Sequence, residues 1–365
     1  MRMICTRAIA AAVLSAAALG GAFAQDVPAG YPANYADLVK QAKSEGKLVI
    51  YTSTDGAQAK GLLDAFAAKY PGIAIEYNDL GTNGVYNRVI SEAAANQTGA
   101  DIIWSSAMDL QMALATDGYT DTYVTAETKS LPSWATYKDT LFATTVEPIG
   151  IIYNTKALPD GVPKTRPELI KWLGDNKDKL KGKVATFDPE KSGSGFLHHT
   201  NDARQRKDFW DLAKAFGADA GRTYSSTGAM KETVVSGENL LAFNAIGSYA
   251  FLWIKESPNL GLAFGDDYTA AFSRVAAIAK GAPHPAAAKL FIDFMLSKPG
   301  QEALAAAGLP SVRTDVEKGF NLTTLNQRVG GNLKPIALDE GLLFYMQPQN
   351  RVEFFKQWKA SLSGS

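Results

Sequence analysis

Cysteine is nearly missing from this chain: its 365 residues include one, Cys5. Cys5 falls in a leader-like first stretch, ahead of its apolar run, where a lipoprotein cysteine would not be. Beyond it there is no disulfide, no thiol nucleophile and no thiolate metal site, so the mature protein must be held by its core. Histidine is scarce as well, at three residues. Net charge is absent, with 37 basic and 37 acidic residues, and nothing resembles a nucleic-acid footprint. The run from Ala8 to Leu19 is too short to span a bilayer, and no later stretch is long enough. G-x-S-x-G, HExxH and P-loop patterns do not occur. Neither do internal repeats or low-complexity tracts.

The first 24 residues read as a secretory leader: a basic start at Arg2 and Arg7, the apolar run, and Ala22 and Ala24 around Phe23. Cleavage is expected after Ala24, which would place the mature protein in the periplasm. The remaining length exceeds one typical core, so two α/β lobes are the default expectation. Three strand-turn-helix units open the chain. Their strands are 47–51, 73–77 and 100–104, and their helices 57–69, 85–96 and 108–117. Such units predict a parallel sheet covered by helices. Ligands of these sheets bind outside the carboxyl ends of the strands. The turns at those ends are polar and small: Thr52 to Gly56, Asp79 to Gly84, and Ser105-Ser106. They suit backbone N–H groups offered to a ligand at helix amino ends, although Ser53, Thr54, Ser105 and Ser106 could also be plain N-caps.

Thr144 to Asn154, TTVEPIGIIYN, looks like a crossing between the lobes. Pro148 restricts Glu147 to extended backbone and so aims its carboxylate, while Ile149 to Tyr153 reads as a buried strand. A solvated acid at the start of an ordinary strand is the plain alternative. Further on, strand 183–187 ends in the glycine-rich turn Asp188 to Phe196. That turn lacks the lysine and spacing of a nucleotide loop but offers clustered donors to an anion. Strand 240–244 runs into Ala245 to Tyr249, strand 260–264 leads to a second crossing near Tyr268, and 274–278 returns to the first lobe. The last third is helical, with helices over 285–296 and 299–307 and a tail whose Leu342, Phe354 and Trp358 should dock on the body.

The runs KLVIYTSTD, ADIIWSSAMDLQ, EPIGIIYN and SGSGF, and above all residues 277 to 313, AIAKGAPHPAAAKLFIDFMLSKPGQEALAAAGLPSVR, resemble the periplasmic solute-binding proteins of ABC importers in the ferric-ion and phosphorylated-sugar branch. The resemblance implies a two-lobed type II binding-protein fold with two crossings. One lobe would take residues 25–145 and 275–365, and the other 146–274. It implies a monomer without cofactor or catalytic residues that hands a small solute to a membrane permease and its ATPase. A sensor kinase is a possible alternative reader of the liganded form. Ligand positions would fall on Ser53, Thr54, Asp55, Ser105, Ser106, Thr145, Glu147, Ser192, Gly193, Ser194, Gly195, Asn244, Ser248 and Tyr249.

Ferric-binding members similar to this chain carry adjacent tyrosines where Ser248-Tyr249 stands. An iron site here would need Tyr249 completed by Glu147 and His199 or His198, a thin set for a hard trivalent cation. Hydroxyl- and glycine-rich turns favour an anionic organic solute, such as a phosphorylated sugar. His198 and His199 point about 100° apart on a helix, so at most one can face a cleft, and His199 is the one assigned to the ligand. Asp55 and Glu147 could be read as an acid-base pair of an exported hydrolase, but nothing in the sequence separates their proton affinities. Asp266-Asp267 lacks the oxygen-rich loop of a calcium site.

Overall fold

The computed structural model describes residues 30–363. The leader expected over residues 1–24, with Cys5 and the cleavage after Ala24, lies outside the described residues.

The chain builds two seven-stranded sheets, each covered by helices. The first runs in the order Ala74–Asp79, Lys47–Thr52, Ile102–Ser105, Val275–Ala279, Leu141–Ala143, Thr136–Tyr137, with Thr120–Asp121 beside Val275–Ala279. The second runs Leu333–Pro335, Thr269–Phe272, Glu147–Asn154, Leu241–Ile246, Val184–Phe187, Arg222–Tyr224, with Leu260–Ala263 paired to Glu147–Asn154. Helix Tyr35–Glu45 stops where Gly46 turns left-handed at φ 67°, as a C-terminal glycine allows. Helix Pro285–Leu296 starts on its proline and is buried from Ala286 to Leu296 except at Lys289. The polar turn expected before Val85 is shorter, because the helix already starts at Gly81.

Lys47–Thr52 is parallel to both neighbours, as the repeated strand-turn-helix units require. The first sheet is nevertheless mixed. Val275–Ala279 lies antiparallel to Ile102–Ser105, because it returns from the other lobe and enters at the carboxyl end of the sheet.

Two passages between the lobes run side by side. Thr144 N–H donates to Arg274 O at 2.8 Å, and Phe272 pairs with Glu147 across the strands. The second passage is thus at Ser273-Arg274, not near Tyr268, since Thr269–Phe272 still belongs to the second sheet. A third passage follows Arg313. Leu333–Pro335 pairs with Thr269–Phe272, and helix Pro348–Ser363 lays Phe354 and Trp358 against Phe209 and Phe216 of helix Phe209–Ala218. The expected first-lobe block 275–365 is therefore cut short: its apolar tail anchors fill the second lobe's core.

Candidate functional site

Arg274 stands at the centre of the lobe junction and is buried to 1% exposure. An arginine inside the run Ala270-Ala271-Phe272-Ser273-Arg274-Val275-Ala276 must find partners or leave the core. Its Nε donates to Glu147 Oε1 at 2.8 Å and its Nη2 to Glu147 Oε2 at 3.3 Å. Nη2 also donates to Tyr249 Oη at 2.8 Å, and Nη1 to Thr54 Oγ1 at 3.0 Å and Ser53 O at 3.4 Å. The guanidinium is thereby tied to both passages and both lobes. Burial alone would lower its pKa, but Glu147 and Tyr249 raise it above the ordinary value, so it stays charged.

Glu147 is the counter-charge, with no exposed surface. Besides Arg274 it accepts from Thr145 Oγ1 at 2.8 Å and Ser248 Oγ at 2.5 Å. Both oxygens are occupied by protein. The acid that the sequence marks as a ligand acceptor is instead the brace of Arg274, and Thr145 and Ser248 are its supports, likewise fully buried. Pro148 does aim the carboxylate, but inward.

In front of Arg274 lies a cleft of ≈ 240 Å³ whose walls come from both lobes. Of the residues singled out by sequence, Ser53, Asp55, Ser106, Ser192, Ser194 and Tyr249 line it. Asp79, Gly81 and Thr82 of the second polar turn line it too, and sequence reasoning missed Arg274 itself, Ser225, Ser226, Thr227 and Trp253. Ser225 to Gly228 had the same small, polar, pre-helix signature as the turns that were chosen. The cleft is ringed by amino ends of helices: Gly56–Lys69, Gly81–Ala94, Gly193–Gln205, Thr227–Ser236 and Gly247–Glu256. Such ends carry unpaired N–H groups and partial positive charge.

Several hydroxyls already act locally. Ser192 caps its helix by accepting from Gly195 N–H at 3.1 Å, and Ser226 does the same for Ala229 N–H. Ser53 Oγ accepts from Ser106 N–H at 3.1 Å. Ser105 is buried behind this layer, accepting from Ala107 N–H at 3.3 Å, and Thr54 is buried against Arg274. Ser192 and Ser226 are thus helix caps, whereas the plain N-cap reading does not hold for Ser53, Thr54, Ser105 or Ser106, since the helices at Gly56 and Met108 have Asp55 and Ala107 at their cap positions. Burial raises the pKa of Tyr249, partly opposed by Arg274, so the phenol keeps its proton.

The lobes are closed. Ser106 Oγ and Ser194 Oγ lie 2.8 Å apart, Gly193 N–H donates to Thr82 Oγ1 at 3.0 Å, and Asn83 Nδ2 donates to Lys191 O at 3.3 Å. Gly193 lets the turn sit this near: a Cβ there would fall 2.9 Å from Thr82 Oγ1 and 3.1 Å from Ala107 Cβ. Gly195 has a different task, since its Cβ would fall 2.6 Å from Phe187 Cβ in the same lobe.

The histidines are not at the cleft. His199 is fully buried, with Nε2 at 3.1 Å from Phe187 O, Nδ1 at 3.2 Å from Asn244 Nδ2, and its ring 4.5 Å from that of Trp358. Burial pulls its pKa down to about 3. His198 is held down to about 4 for the same reason, and its Nδ1 lies 3.0 Å from Asn244 O. Asn244 turns left-handed at φ 58°, where the pairing register with Glu147–Asn154 slips, and faces these histidines. The expected contacts of His199 and Asn244 with a cleft ligand are therefore not formed: the helix turns both rings toward the second lobe's interior. The set Tyr249, Glu147 and His199 is not brought together, and no cluster of three or more His, Cys, Asp or Glu able to hold a metal occurs among the described residues.

The profile of a family described as bacterial extracellular solute-binding protein matches residues 61–324. In three dimensions the chain is similar to the substrate binding protein of an ABC transporter from Agrobacterium tumefaciens, at 33% identity and TM-score 0.82, over 87% of this chain and 94% of that one. It is also similar to the periplasmic binding protein AfuA from Actinobacillus pleuropneumoniae with fructose-6-phosphate bound, at 22% identity and TM-score 0.69, over 87% and 98% of the two chains. A third likeness is to iron-bound HitA from Pseudomonas aeruginosa, at 20% identity and TM-score 0.66, over 86% and 99%.

Proposed function

This chain belongs to the bacterial extracellular solute-binding proteins and is the substrate-binding protein of an ABC transporter, and we propose that it captures a small anionic organic solute, a phosphorylated sugar or a similarly hydroxylated acid. Its two-lobed α/β fold is that of the type II periplasmic binding proteins. The observation that carries the solute class is the ring of helix amino ends around a hydroxyl-lined cleft with Arg274 at its base. N–H groups and hydroxyls at helix starts hold a phosphate or carboxylate. Asp55 and Asp79 on the same walls accept from sugar hydroxyls and would repel a second anionic group. The leader and the absence, among the described residues, of any helix able to cross a membrane fit delivery from the periplasm to a permease and its ATPase.

Capture works by closure. Each lobe offers half of the polar wall, and a solute bonded to both shifts the lobes toward the closed form by its extra affinity for that form. Turnover has no support in the site, because Glu147 is locked to Arg274 and cannot pair with Asp55 in acid-base work. AfuA was solved with fructose-6-phosphate, a ligand of the proposed class, and HitA with iron. For this chain the iron reading keeps only Tyr249 of the expected set, because Glu147 is bonded to Arg274 and His199 is buried away from the cleft.

Native mass spectrometry with metal analysis of the same purified protein tests this, followed by calorimetry with hexose phosphates, the parent hexoses and ferric citrate. A co-purifying phosphorylated or carboxylated compound, and binding lost when the phosphate is removed, are expected. Stoichiometric iron, or equal binding of phosphorylated and free sugar, would overturn the proposal.

A further inference from the structure

A second polar pocket lies inside the second lobe. It measures ≈ 70 Å³ and is walled on one side by strand Glu147–Asn154 and Ala263. Three buried polar atoms of its lining find no partner among the described residues: Arg166 Nη1, His198 Nε2 and Asp202 Oδ1. His198 is 1% and Asp202 4% exposed. A buried polar atom without a partner is costly, and three around one space mark a place where a polar guest would be stabilised.

The atoms also define the guest. Asp202 Oδ2 already accepts from Arg166 Nη2 at 2.8 Å; burial raises the Asp202 pKa and Arg166 opposes that rise, and in the ion-paired form the remaining Oδ1 and Nη1 are one acceptor and one donor. His198 Nδ1 faces Asn244 O and must carry the hydrogen, which leaves Nε2 as a bare acceptor. Burial keeps the imidazole neutral. The open valences are thus two acceptors and one donor, and of the other charged groups in the lining, Lys164, Arg206 and Asp267, the last two are paired with each other. A free anion would meet Asp202 and the Nε2 lone pair, and a cation would meet Arg166.

We propose that this pocket is a second binding site, separate from the inter-lobe cleft, for a small neutral molecule that donates two hydrogen bonds and accepts one, as a primary carboxamide does. Its NH₂ group would donate to His198 Nε2 and Asp202 Oδ1, and its C=O would accept from Arg166 Nη1. At ≈ 70 Å³ the space corresponds to roughly two waters, the scale of a small amide. A larger groove of ≈ 430 Å³ shares Asn201 and Tyr268 with the pocket, and Asn201 Nδ2 donates to Tyr268 Oη at 3.2 Å.

The test is saturation-transfer NMR on the full mature protein with acetamide, and with acetate and methylammonium as charged counterparts. Acetamide should show transfer and the charged pair should not. His198→Phe, which keeps a ring but removes the acceptor, and Asp202→Asn, which replaces the open acceptor by an ambiguous amide, should each abolish the acetamide signal. Circular dichroism and solute binding at the cleft should be retained in at least one of them. A crystal of protein soaked in acetamide should show the amide on Arg166, His198 and Asp202. Ordered water alone in that crystal, transfer to acetate equal to that to acetamide, or a signal unchanged in both variants, would overturn the assignment.

Discussion

Substituting Gly193 by Ala separates closure from folding. The added Cβ would lie 2.9 Å from Thr82 Oγ1, 3.0 Å from Asn83 Oδ1 and 3.1 Å from Ala107 Cβ. All three neighbours belong to the first lobe, while Gly193 belongs to the second, so the clash exists only when the lobes are closed. It cannot be relieved cheaply, because Thr82 Oγ1 is the acceptor of Gly193 N–H and Ala107 is fixed at the start of helix Met108–Thr116. Overpacking of this kind costs about 1–3 kcal/mol. Borne by the closed state alone, it raises Kd by roughly 5- to 150-fold. In the open protein the same change replaces glycine in a helix by its best former, worth up to ~1 kcal/mol in the opposite direction. Calorimetry with the co-purifying solute should therefore show weakened binding. Scattering should show a liganded particle that stays wider than wild type, and the ligand-free melting temperature should hold or rise. Unchanged Kd at unchanged melting temperature would refute the reasoning. Gly195→Ala, two residues on, gives the contrast: its clash with Phe187 lies within one lobe, so it should lower the melting temperature with or without solute.

Glu147→Gln leaves Arg274 buried without its counter-charge, and a loss of about 3–5 kcal/mol in denaturant unfolding is expected; an unshifted midpoint would mean that the pair is not the brace described. Tyr249→Phe removes one acceptor of Arg274 and a cleft hydroxyl, and should weaken solute binding while leaving iron content at background, measured by calorimetry and metal analysis. His198 and His199 are held neutral, at about 4 and about 3, below their unfolded value of 6.5. The stability they contribute is present above pH 6.5 and is lost as pH falls through those folded values. Melting temperature should drop steadily below pH 6.5, less so in His198→Phe. Asp109 works the other way: burial pushes it up to about 7, and its Oδ2 has no partner among the described residues. Its contribution is complete below its unfolded value of 3.8 and is lost as pH rises through 7, so Asp109→Asn should stabilise the protein above pH 7 and change little in acid.

Local order was open to reading in the sequence. Helix Tyr35–Glu45 ends at a glycine, helix Pro285–Leu296 begins at a proline, and strand Lys47–Thr52 is an apolar run between that glycine, Gly46, and a polar turn. Each depends on neighbours a few residues away. The turns at strand ends were legible for the same reason, and Ser53, Ser106, Ser192 and Ser194 do line the cleft. What could not be read is which atoms those turns meet. Glu147 was aimed correctly but at the wrong partner, because Arg274 lies 127 residues further along and reaches it only when two passages pair. His199 and Asn244 stand beside the right turns but face inward, His199 from the inner side of its helix and Asn244 where the strand register slips.

The tail marks the same boundary, since Phe354 and Trp358 announce that they will be buried without saying in which lobe. Sequence by itself determined the elements, their polar ends and the scarcity of metal ligands, since these follow from local periodicity and composition. Only the tertiary structure decided that Arg274 sits at the base of the cleft, that Glu147 serves it, and that His198 and His199 face the second lobe's interior. Those outcomes depend on which distant buried charges and hydrogen-bonding groups can be satisfied together once the chain has crossed between its lobes.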